Sequence, residues 1–376
     1  MSAVAAAAGS ALVALAWAAP LPAAAQGAAP ADGWQACAAL ADADARLACY
    51  DQWAGRARPG PVAAPEPSPA PTPKPGDTAR VEPPGNDDTA PGGCHDSAYS
   101  ELSRFWELER ATGCGVFGIR SYRPISLSVI GSDSVNRQPT SENPLNNAAA
   151  PLPYRTTETR IQLSVRTKLA EGLLTQGAVR DSVWFGYTQQ SSWQLFTGGL
   201  SRPFRNTDHE PEFVYAYPFQ LPALQGWRLR YGGLGLVHQS NGQSLPLSRS
   251  WNRVYLMAGA DRGSFTLQGR VWQRINEQAA DDDNPRISDY VGRAEATGSW
   301  HLSDGEMLSF TVRHSLRAQA HGSLRLEWML PIGDTHGSRN SAMRLHTQLF
   351  SGYGDSLLDY NRRRTVLSLG LSLVDW

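Results

Sequence analysis

The sequence predicts an all-β protein: a twelve-stranded antiparallel transmembrane β-barrel, preceded by a small helical Cys-containing module and a Pro-rich linker. Apolar and polar residues alternate with a period of two in segments of about ten residues, the length that a tilted strand needs to cross a bilayer. The segments number twelve, and an even number lets a closed antiparallel barrel keep both termini on one side. The aromatic Trp376 directly follows the last segment, as is common in exported barrels.

The clearest alternation lies near the C-terminus, where Leu367, Leu369 and Leu371 alternate with small residues. Other segments carry Arg, Glu and Gln on the opposite face, which could form a bonded polar network in the lumen instead of an open pore. A β-sandwich with one charged face would alternate as well, but the strand length favours the barrel. The predicted strands lie near 125–130, 157–168, 182–190, 211–219, 227–239, 250–260, 263–275, 289–301, 306–316, 321–331, 341–351 and 364–374.

The composition excludes two classes of protein. Lys and Arg number 34 against 35 Asp and Glu, for a net charge of −1, and a nucleic-acid-binding protein usually has a basic excess. A hydrophobic fraction of 41% and a mean hydropathy of −0.37 are too polar for a bundle of transmembrane helices. A membrane barrel agrees with both values because its strands are polar at every second position.

The N-terminus indicates export. No charged side chain occurs in residues 1–26, and an apolar run there gives way to small residues, so we expect a signal peptide over residues 1–25. A transmembrane anchor is the alternative, but Pro20 and Pro22 interrupt a run that would need about 18–20 apolar residues. Export would bring the mature chain into an oxidising compartment, where disulfides persist.

Three segments are expected after the signal peptide. Residues 26–56 form a small helical module in the periplasm, residues 57–93 a disordered linker, and residues 94–376 the barrel with a short N-terminal extension. The linker is predicted because residues 59–91 hold 11 of the 26 prolines, and the extension should contain an amphipathic helix over 96–113. Disulfides Cys37–Cys49 and Cys94–Cys114 are possible, but four cysteines allow three pairings, so the pairing stays open.

One predicted hairpin places three polar side chains on its apolar, lipid-facing side. His238 and Ser240 are two residues apart and share parity with neighbouring leucines, and Asn252 shares parity with apolar residues of the returning strand. Polar groups are costly there, so the trio is a candidate Ser-His-Asn catalytic triad with lipid as its substrate. Ordinary interfacial polar residues would give the same pattern. Arg228 and Arg230 also share this parity, and a bulge at Gly232-Gly233 would correct the register.

The sequence HQSNGQSLPLSRSWNR at 238–253 closely resembles the active-site signature of outer-membrane phospholipase A. Further stretches similar to that family follow the same order and extend the resemblance over about residues 118–376. They are YTQQSSWQ at 187–194, SRPFRNTDHEPE at 201–212, DDNP at 282–285 and SGYGDSLLDYN at 351–361. The resemblance implies a twelve-stranded barrel in the outer membrane that acts as a calcium-dependent lipase and is active as a homodimer.

The resemblance also implies a role for each residue of the signature. Ser240 would be the nucleophile, His238 the general base and Asn252 the residue that orients the base. The backbone N–H of Gly242 would form the oxyanion hole together with Ca²⁺.

Calcium takes oxygen ligands, and the resemblance implies several of them. They are the Ser248 hydroxyl or carbonyl, the Gln243 carbonyl and Ser201 from the other subunit, and Asp283 matches a second, monomer-type calcium site. The family usually has Arg where Gln243 stands; a carbonyl ligand survives this exchange, but any role of the Arg side chain does not. Gln189 matches a glutamine that bonds across the dimer interface. By residue type alone, the serines would be ordinary loop residues and Gln189 could point into the lumen.

The predicted function is hydrolysis of phospholipid acyl esters, of the A1 and A2 types, in the cell outer membrane. The predicted partners are membrane phospholipid and a second copy of the chain, without nucleic acid. Two alternatives share part of the evidence: a lipopolysaccharide deacylase would share the chemistry, and a non-enzymatic porin would share the barrel. Positional preference on the glycerol, head-group preference, the activation trigger and the role of the N-terminal module are not predicted by the sequence.

Overall fold

The computed structural model describes residues 37–38, 40–57, 93–222, 224–302, 305–333 and 343–374. The predicted signal peptide, nearly all of the linker and Trp376 lie outside these residues. The chain divides into two units after Val81. No helix among the described residues is both long enough and apolar enough to cross a bilayer.

The first unit includes the helix α1 (Ala43–Ala57), which begins in the predicted module and ends one residue beyond it. Asp42 caps its N-terminus, because its carboxylate accepts a hydrogen bond of 2.8 Å from the Ala45 N–H. Cys37 and Cys49 are joined by a disulfide with a Cα–Cα distance of 5.5 Å. Of the three possible pairings, the structure therefore has the one that joins each cysteine to its neighbour in sequence, with Cys94–Cys114 in the second unit.

The second unit is a closed antiparallel β-barrel, which confirms the predicted fold class. Each strand pairs with its neighbours in sequence, and the last strand pairs with the first barrel strand to close the sheet. A short strand, β1 (Ile119–Ser121), pairs with Val165–Thr167 of β3, on the same edge of β3 as β2 and beyond the end of β2. The twelve barrel strands are β2 (Ile125–Ser132), β3 (Thr157–Glu171), β4 (Ser182–Trp193), β5 (Asn206–Pro222), β6 (Arg228–Ser240), β7 (Ser250–Arg262), β8 (Phe265–Ile275), β9 (Ala294–His301), β10 (Met307–His314), β11 (Gly322–Pro331), β12 (Met343–Gly352) and β13 (Arg364–Leu373).

Two strands begin five residues away from the predicted position, whereas the other boundaries agree within three residues. The residues before β9 form a short helix, α3 (Ile287–Val291), instead of the start of a strand at 289. Ile287 and Val291 are four residues apart, so one helix face buries both of them against Trp251. Strand β5 begins five residues earlier than predicted and continues through Pro211, which pairs with Tyr187 of β4.

The two ends of the barrel differ in the length of their connections. The segments 133–156, 194–205, 241–249, 276–293 and 353–363 form long loops at one end, whereas the other end has tight connections such as 263–264. In outer-membrane barrels the long loops are extracellular and the short turns are periplasmic. The end of β6 and the start of β7 therefore lie at the extracellular rim.

Strand alternation separates an apolar outer face from a polar lumen. Leu367, Leu369, Leu371 and Leu373 are all exposed on the outer face. Inside, charged residues from distant parts of the chain pair with one another: Arg205 contacts Glu158 and Asp359. These pairs form the bonded lumen network that the sequence suggested, and they compensate charges that would be costly to bury alone.

The N-terminal extension of the barrel enters the lumen from the periplasmic end. Its helix, α2 (Glu101–Trp106), is shorter than the predicted span 96–113 because Glu107 adopts a left-handed conformation and ends it. Trp106 is fully buried, with ring centroids 5.9 Å from Trp184 and 5.6 Å from Tyr231 of the barrel wall. This aromatic packing fills part of the lumen where a porin would need open water.

Candidate active site

The hairpin of β6 and β7 places His238 beside Asn252 and Ser240 beside Ser250 as register partners. Side chains two residues apart in a strand share a face, so His238 and Ser240 lie on the same side. That side is the outer one, since His238 is exposed together with Leu234 and Leu236, each of which is 51% exposed. The structure therefore places all three predicted triad residues on the lipid-facing side, at the extracellular rim.

A β-bulge makes this parity possible, but it does not occur at Gly232-Gly233, the position that the sequence suggested. The register of β6 against β7 shifts between Leu229 and Tyr231, so Arg230 is the extra residue. Arg230 is ion-paired to Asp261 at 2.6 Å, and the next residue, Tyr231, is buried in the lumen. The ion pair holds Arg230 inward, and the outward parity of the leucines begins only after it.

His238 and Asn252 are in direct contact. The His238 Nδ1 atom lies 2.9 Å from the Asn252 Oδ1 atom, so the amide oxygen accepts a hydrogen bond from Nδ1–H and leaves Nε2 free to take a proton. Within the described chain, the Ser240 hydroxyl makes no hydrogen bond, either to His238 or to another residue. In enzymes without bound substrate, the bond between nucleophile and base is often long and tightens only in the substrate complex.

The loop after Ser240 has a defined shape because the Asn241 side chain bridges it. The Asn241 Nδ2 donates to the Leu247 carbonyl at 2.8 Å, and its Oδ1 accepts from the Arg249 N–H at 2.9 Å. Gly242 then adopts a φ of +60°, which a residue with a Cβ rarely does. The Gly242 N–H donates to no partner in the described part of the chain, so it is available to an oxyanion.

Two of the predicted calcium ligands are in direct contact. The Ser248 hydroxyl donates to the Asp283 carboxylate at 2.6 Å, and Asn146 Nδ2 donates to the Ser248 carbonyl and to Asp283, at 3.0 Å each. The Asn146 Oδ1 is buried beside them without a partner in the described structure. Hard oxygen donors of this kind suit calcium, which takes six to eight of them. The described residues contain no group of three or more His, Cys, Asp or Glu that could hold a metal, so a calcium site here would combine the Asp283 carboxylate with hydroxyl, amide and carbonyl oxygens.

Within one chain, no hydrogen bond among the described residues joins Gln243 or Ser201 to Ser248 or Asp283. The Gln243 side chain donates to the Arg205 carbonyl at 3.2 Å. No described residue donates a hydrogen bond to the Gln243 backbone carbonyl. Ser201 lies in the loop between β4 and β5, where its carbonyl accepts a hydrogen bond of 2.7 Å from Trp193.

Gln189 lies on the outer face of β4 and does not point into the lumen. It accepts a hydrogen bond of 3.1 Å from the Tyr187 hydroxyl and donates one of 3.2 Å to Ser191. The Tyr187 hydroxyl also lies 2.7 Å from His209 Nδ1, and His209 is the register partner of Ser240. A chain of polar side chains therefore crosses the outer surface from Gln189 to the triad.

Two residues of this site, His209 and Glu277, were not predicted from the sequence. Glu277 accepts a hydrogen bond of 3.1 Å from Asn252 Nδ2, although 25 positions separate the two residues. Burial raises the pKa of the Glu277 carboxyl, and Arg274 opposes this rise. The strand register that brings them together could have indicated both residues, but it is not visible in the alternation pattern.

Comparison with known proteins gives consistent matches. A family model described as phospholipase A1 matches residues 102–373. A phospholipase A1 homologue of Neisseria meningitidis is 34% identical over 357 residues, which cover 90% of each chain. Phospholipase A1 of Escherichia coli K12 is 35% identical over 221 residues, which cover 59% of this chain and 71% of the relative.

Two solved structures have the same fold. Outer membrane phospholipase A from Escherichia coli matches with a TM-score of 0.59 at 31% identity, over 69% of this chain and 99% of the other. The outer membrane phospholipase dimer of Salmonella typhi with bound calcium matches with a TM-score of 0.59 at 30% identity, over 69% and 93%. The fold and the sequence comparisons agree, and the chain belongs to the phospholipase A1 family.

Proposed function

We propose that this protein is an outer-membrane esterase that hydrolyses the acyl ester bonds of phospholipids through Ser240, His238 and Asn252. The observation that carries this proposal is the contact between His238 and Asn252 on the outer, lipid-facing side of the barrel, with Ser240 on the same face. A catalytic group in this position meets lipid acyl chains and ester groups before any soluble substrate. Membership of the phospholipase A1 family supports the same reaction.

The chemistry follows from the three side chains. His238 Nε2 takes the proton of the Ser240 hydroxyl as its oxygen attacks the ester carbonyl, and Asn252 fixes the imidazole tautomer that this requires. The free Gly242 N–H stabilises the oxyanion. His238 then returns the proton to the leaving alcohol, which gives lysophospholipid, and a water molecule releases the acyl group from Ser240 as fatty acid.

Calcium is part of the proposal. Bound near the oxyanion, it would supply positive charge against the negative charge that develops on the ester oxygen. Ser248 and Gln243 would provide oxygen ligands from one chain, and Asp283 would provide a carboxylate for a second site beside Ser248. The Salmonella typhi relative has bound calcium, which supports this choice of metal.

A homodimer completes the proposed calcium site. Ser201 makes no described contact with Ser248 or Gln243 in its own chain, so it would act on the neighbouring subunit. Gln189 lies on the outer face, where a glutamine in lipid gains from a partner across an interface. The dimeric state of the Salmonella typhi structure supports this arrangement.

The test is release of fatty acid from phospholipid micelles by purified protein, with calcium and with chelator. We expect calcium-dependent hydrolysis that Ser240→Ala abolishes while the barrel remains folded. Near-normal turnover by Ser240→Ala would refute the assignment of the nucleophile. Analysis of the released acyl chains separates A1 from A2 cleavage, and a preference for lipopolysaccharide over phospholipid would assign a different substrate to the same chemistry.

A further inference from the structure

The Asn252 side chain is bonded at both ends. Its Oδ1 faces His238 Nδ1 at 2.9 Å, and its Nδ2 donates to Glu277 Oε1 at 3.1 Å. Asn252 is the register partner of Ile275, the last residue of β8, so Glu277, two positions later, lies within reach of the Asn252 amide. Glu277 thus reaches the triad because of strand pairing and not because of sequence proximity.

The Asn252 side-chain amide can take two orientations related by a flip, and only one of them supports His238 as the proposed base. If the amide were turned over, its N–H₂ group would face His238 Nδ1, and its oxygen would face the Glu277 carboxylate. An ionised carboxylate accepts hydrogen bonds and cannot donate them, so the flipped orientation would place two acceptors, the amide oxygen and the Glu277 carboxylate, against each other. The Glu277 carboxylate therefore selects the orientation in which Asn252 accepts from Nδ1–H and Nε2 stays free.

The surroundings of Glu277 hold the carboxylate in place. Its side chain is 21% exposed, and its second oxygen lies 3.5 Å from Arg274, which also pairs with Asp282 at 2.7 Å. Arg274 belongs to β8, the strand that presents Glu277, so the ion pair closes the turn that follows this strand. One oxygen of Glu277 is therefore directed at Asn252 while the other faces the guanidinium.

We propose that Glu277 is a fourth, positioning member of the catalytic set, which holds the Asn252 amide in the orientation that makes His238 a base. This inference rests on the proposed function of the Ser240 site. It also accounts for a neutral residue at position 252: a second carboxylate there would stand about 3 Å from Glu277, and two like charges at that distance cannot both remain ionised.

The first experiment compares kcat and apparent KM for phospholipid in mixed micelles among single variants. Glu277→Ala should lower kcat about tenfold and leave KM unchanged, because the lost hydrogen bond holds Asn252 and touches no substrate. Glu277→Gln should stay within about threefold of the wild type, since its amide oxygen can accept the same bond. Asp281→Asn is the matched control: it removes one negative charge from the same loop, and Asp281 makes no side-chain bond among the described residues.

The second experiment introduces a carboxylate at position 252 and then removes the carboxylate at position 277. Asn252→Asp should lose about tenfold or more in kcat, because the new carboxylate meets Glu277, and adding Glu277→Gln should recover about tenfold, because a glutamine amide can donate to that carboxylate. Retention of the barrel is checked by gel mobility without heating. Should Glu277→Ala not fold, the comparison of Asn252→Asp with and without the isosteric Glu277→Gln keeps the test decisive.

Two results would overturn the inference: a Glu277→Ala enzyme with wild-type kcat, or an Asn252→Asp enzyme that gains nothing from Glu277→Gln. Ser240→Ala is measured in the same assay. An active Ser240→Ala enzyme would refute the proposed function. An inactive Ser240→Ala enzyme together with an unimpaired Glu277→Ala enzyme would refute only the role of Glu277.

Discussion

Replacing Asn252 with Ala should slow hydrolysis without abolishing it. The substitution removes the 2.9 Å hydrogen bond between Asn252 Oδ1 and His238 Nδ1 and removes no group that makes or breaks a bond in the ester. His238 becomes a cation in the transition state, and a hydrogen bond to a charged group contributes about 1.5–3 kcal/mol. Because about 1.36 kcal/mol corresponds to a factor of ten, kcat should fall about tenfold to a hundredfold.

The assay is fatty-acid release from mixed micelles at saturating calcium, with kcat and apparent KM determined separately. Thr365→Val is a matched control, because it removes a hydrogen bond of 3.3 Å between Thr365 and Ser351 on the outer face of two other strands. We expect this control to retain wild-type turnover. A loss below about threefold for Asn252→Ala would mean that Asn252 does not orient the base, and a loss as complete as that of Ser240→Ala would mean that it takes part in bond chemistry.

Three further predictions concern the rest of the chain. Deleting residues 27–92 should leave calcium-dependent hydrolysis by the purified barrel largely intact, because every residue of the proposed site lies beyond position 145; lost activity in a folded barrel would contradict this. Mixing inactive Ser240→Ala and Ser201→Ala chains should restore part of the activity, since one site of the mixed dimer combines an intact Ser240 with an intact Ser201; mixed dimers without activity would exclude a shared site. Burial would raise the pKa of Asp355 from 3.8, but Arg160 and Arg364 lower it to about 2. The ionised carboxylate therefore stabilises the folded barrel by roughly 2 kcal/mol above about pH 4, and this contribution is lost as the pH falls towards 2. The free energy of unfolding, measured with denaturant in detergent, should therefore fall less between pH 5 and pH 2 for Asp355→Asn than for the wild type. Equal decreases would contradict the assignment.

The barrel was predictable because its constraint acts at every strand residue. A lipid-facing leucine at one position requires a lumen-facing polar residue at the next, so alternation gave the number and type of strands. The start of β9 was predicted wrongly at residue 289, because Val291 fits a helix face as well as a strand, and its burial with Ile287 against Trp251 favours the helix.

The site was predictable only in part. Parity within one strand placed His238 and Ser240 on one face, because this relation needs only local sequence. Glu277 and the bulge at Arg230 depend on register between strands, which side-chain pairing such as Arg230 with Asp261 fixes after the chain has folded. The contact proposed for Ser201 lies between two chains, and alternation within one chain carries no information about it.

The outward orientation of His238 and Ser240 determines which substrate concentration controls the rate of this enzyme. A phospholipid would reach the proposed site by diffusing in the plane of the membrane, without passing through the lumen. The rate should therefore depend on the number of phospholipid molecules per unit area of the leaflet at the extracellular rim, and not on the amount of lipid per volume. Diluting the substrate with an inert detergent inside the same micelle should slow hydrolysis, whereas diluting the whole suspension with buffer should leave the turnover of each membrane-embedded enzyme nearly unchanged.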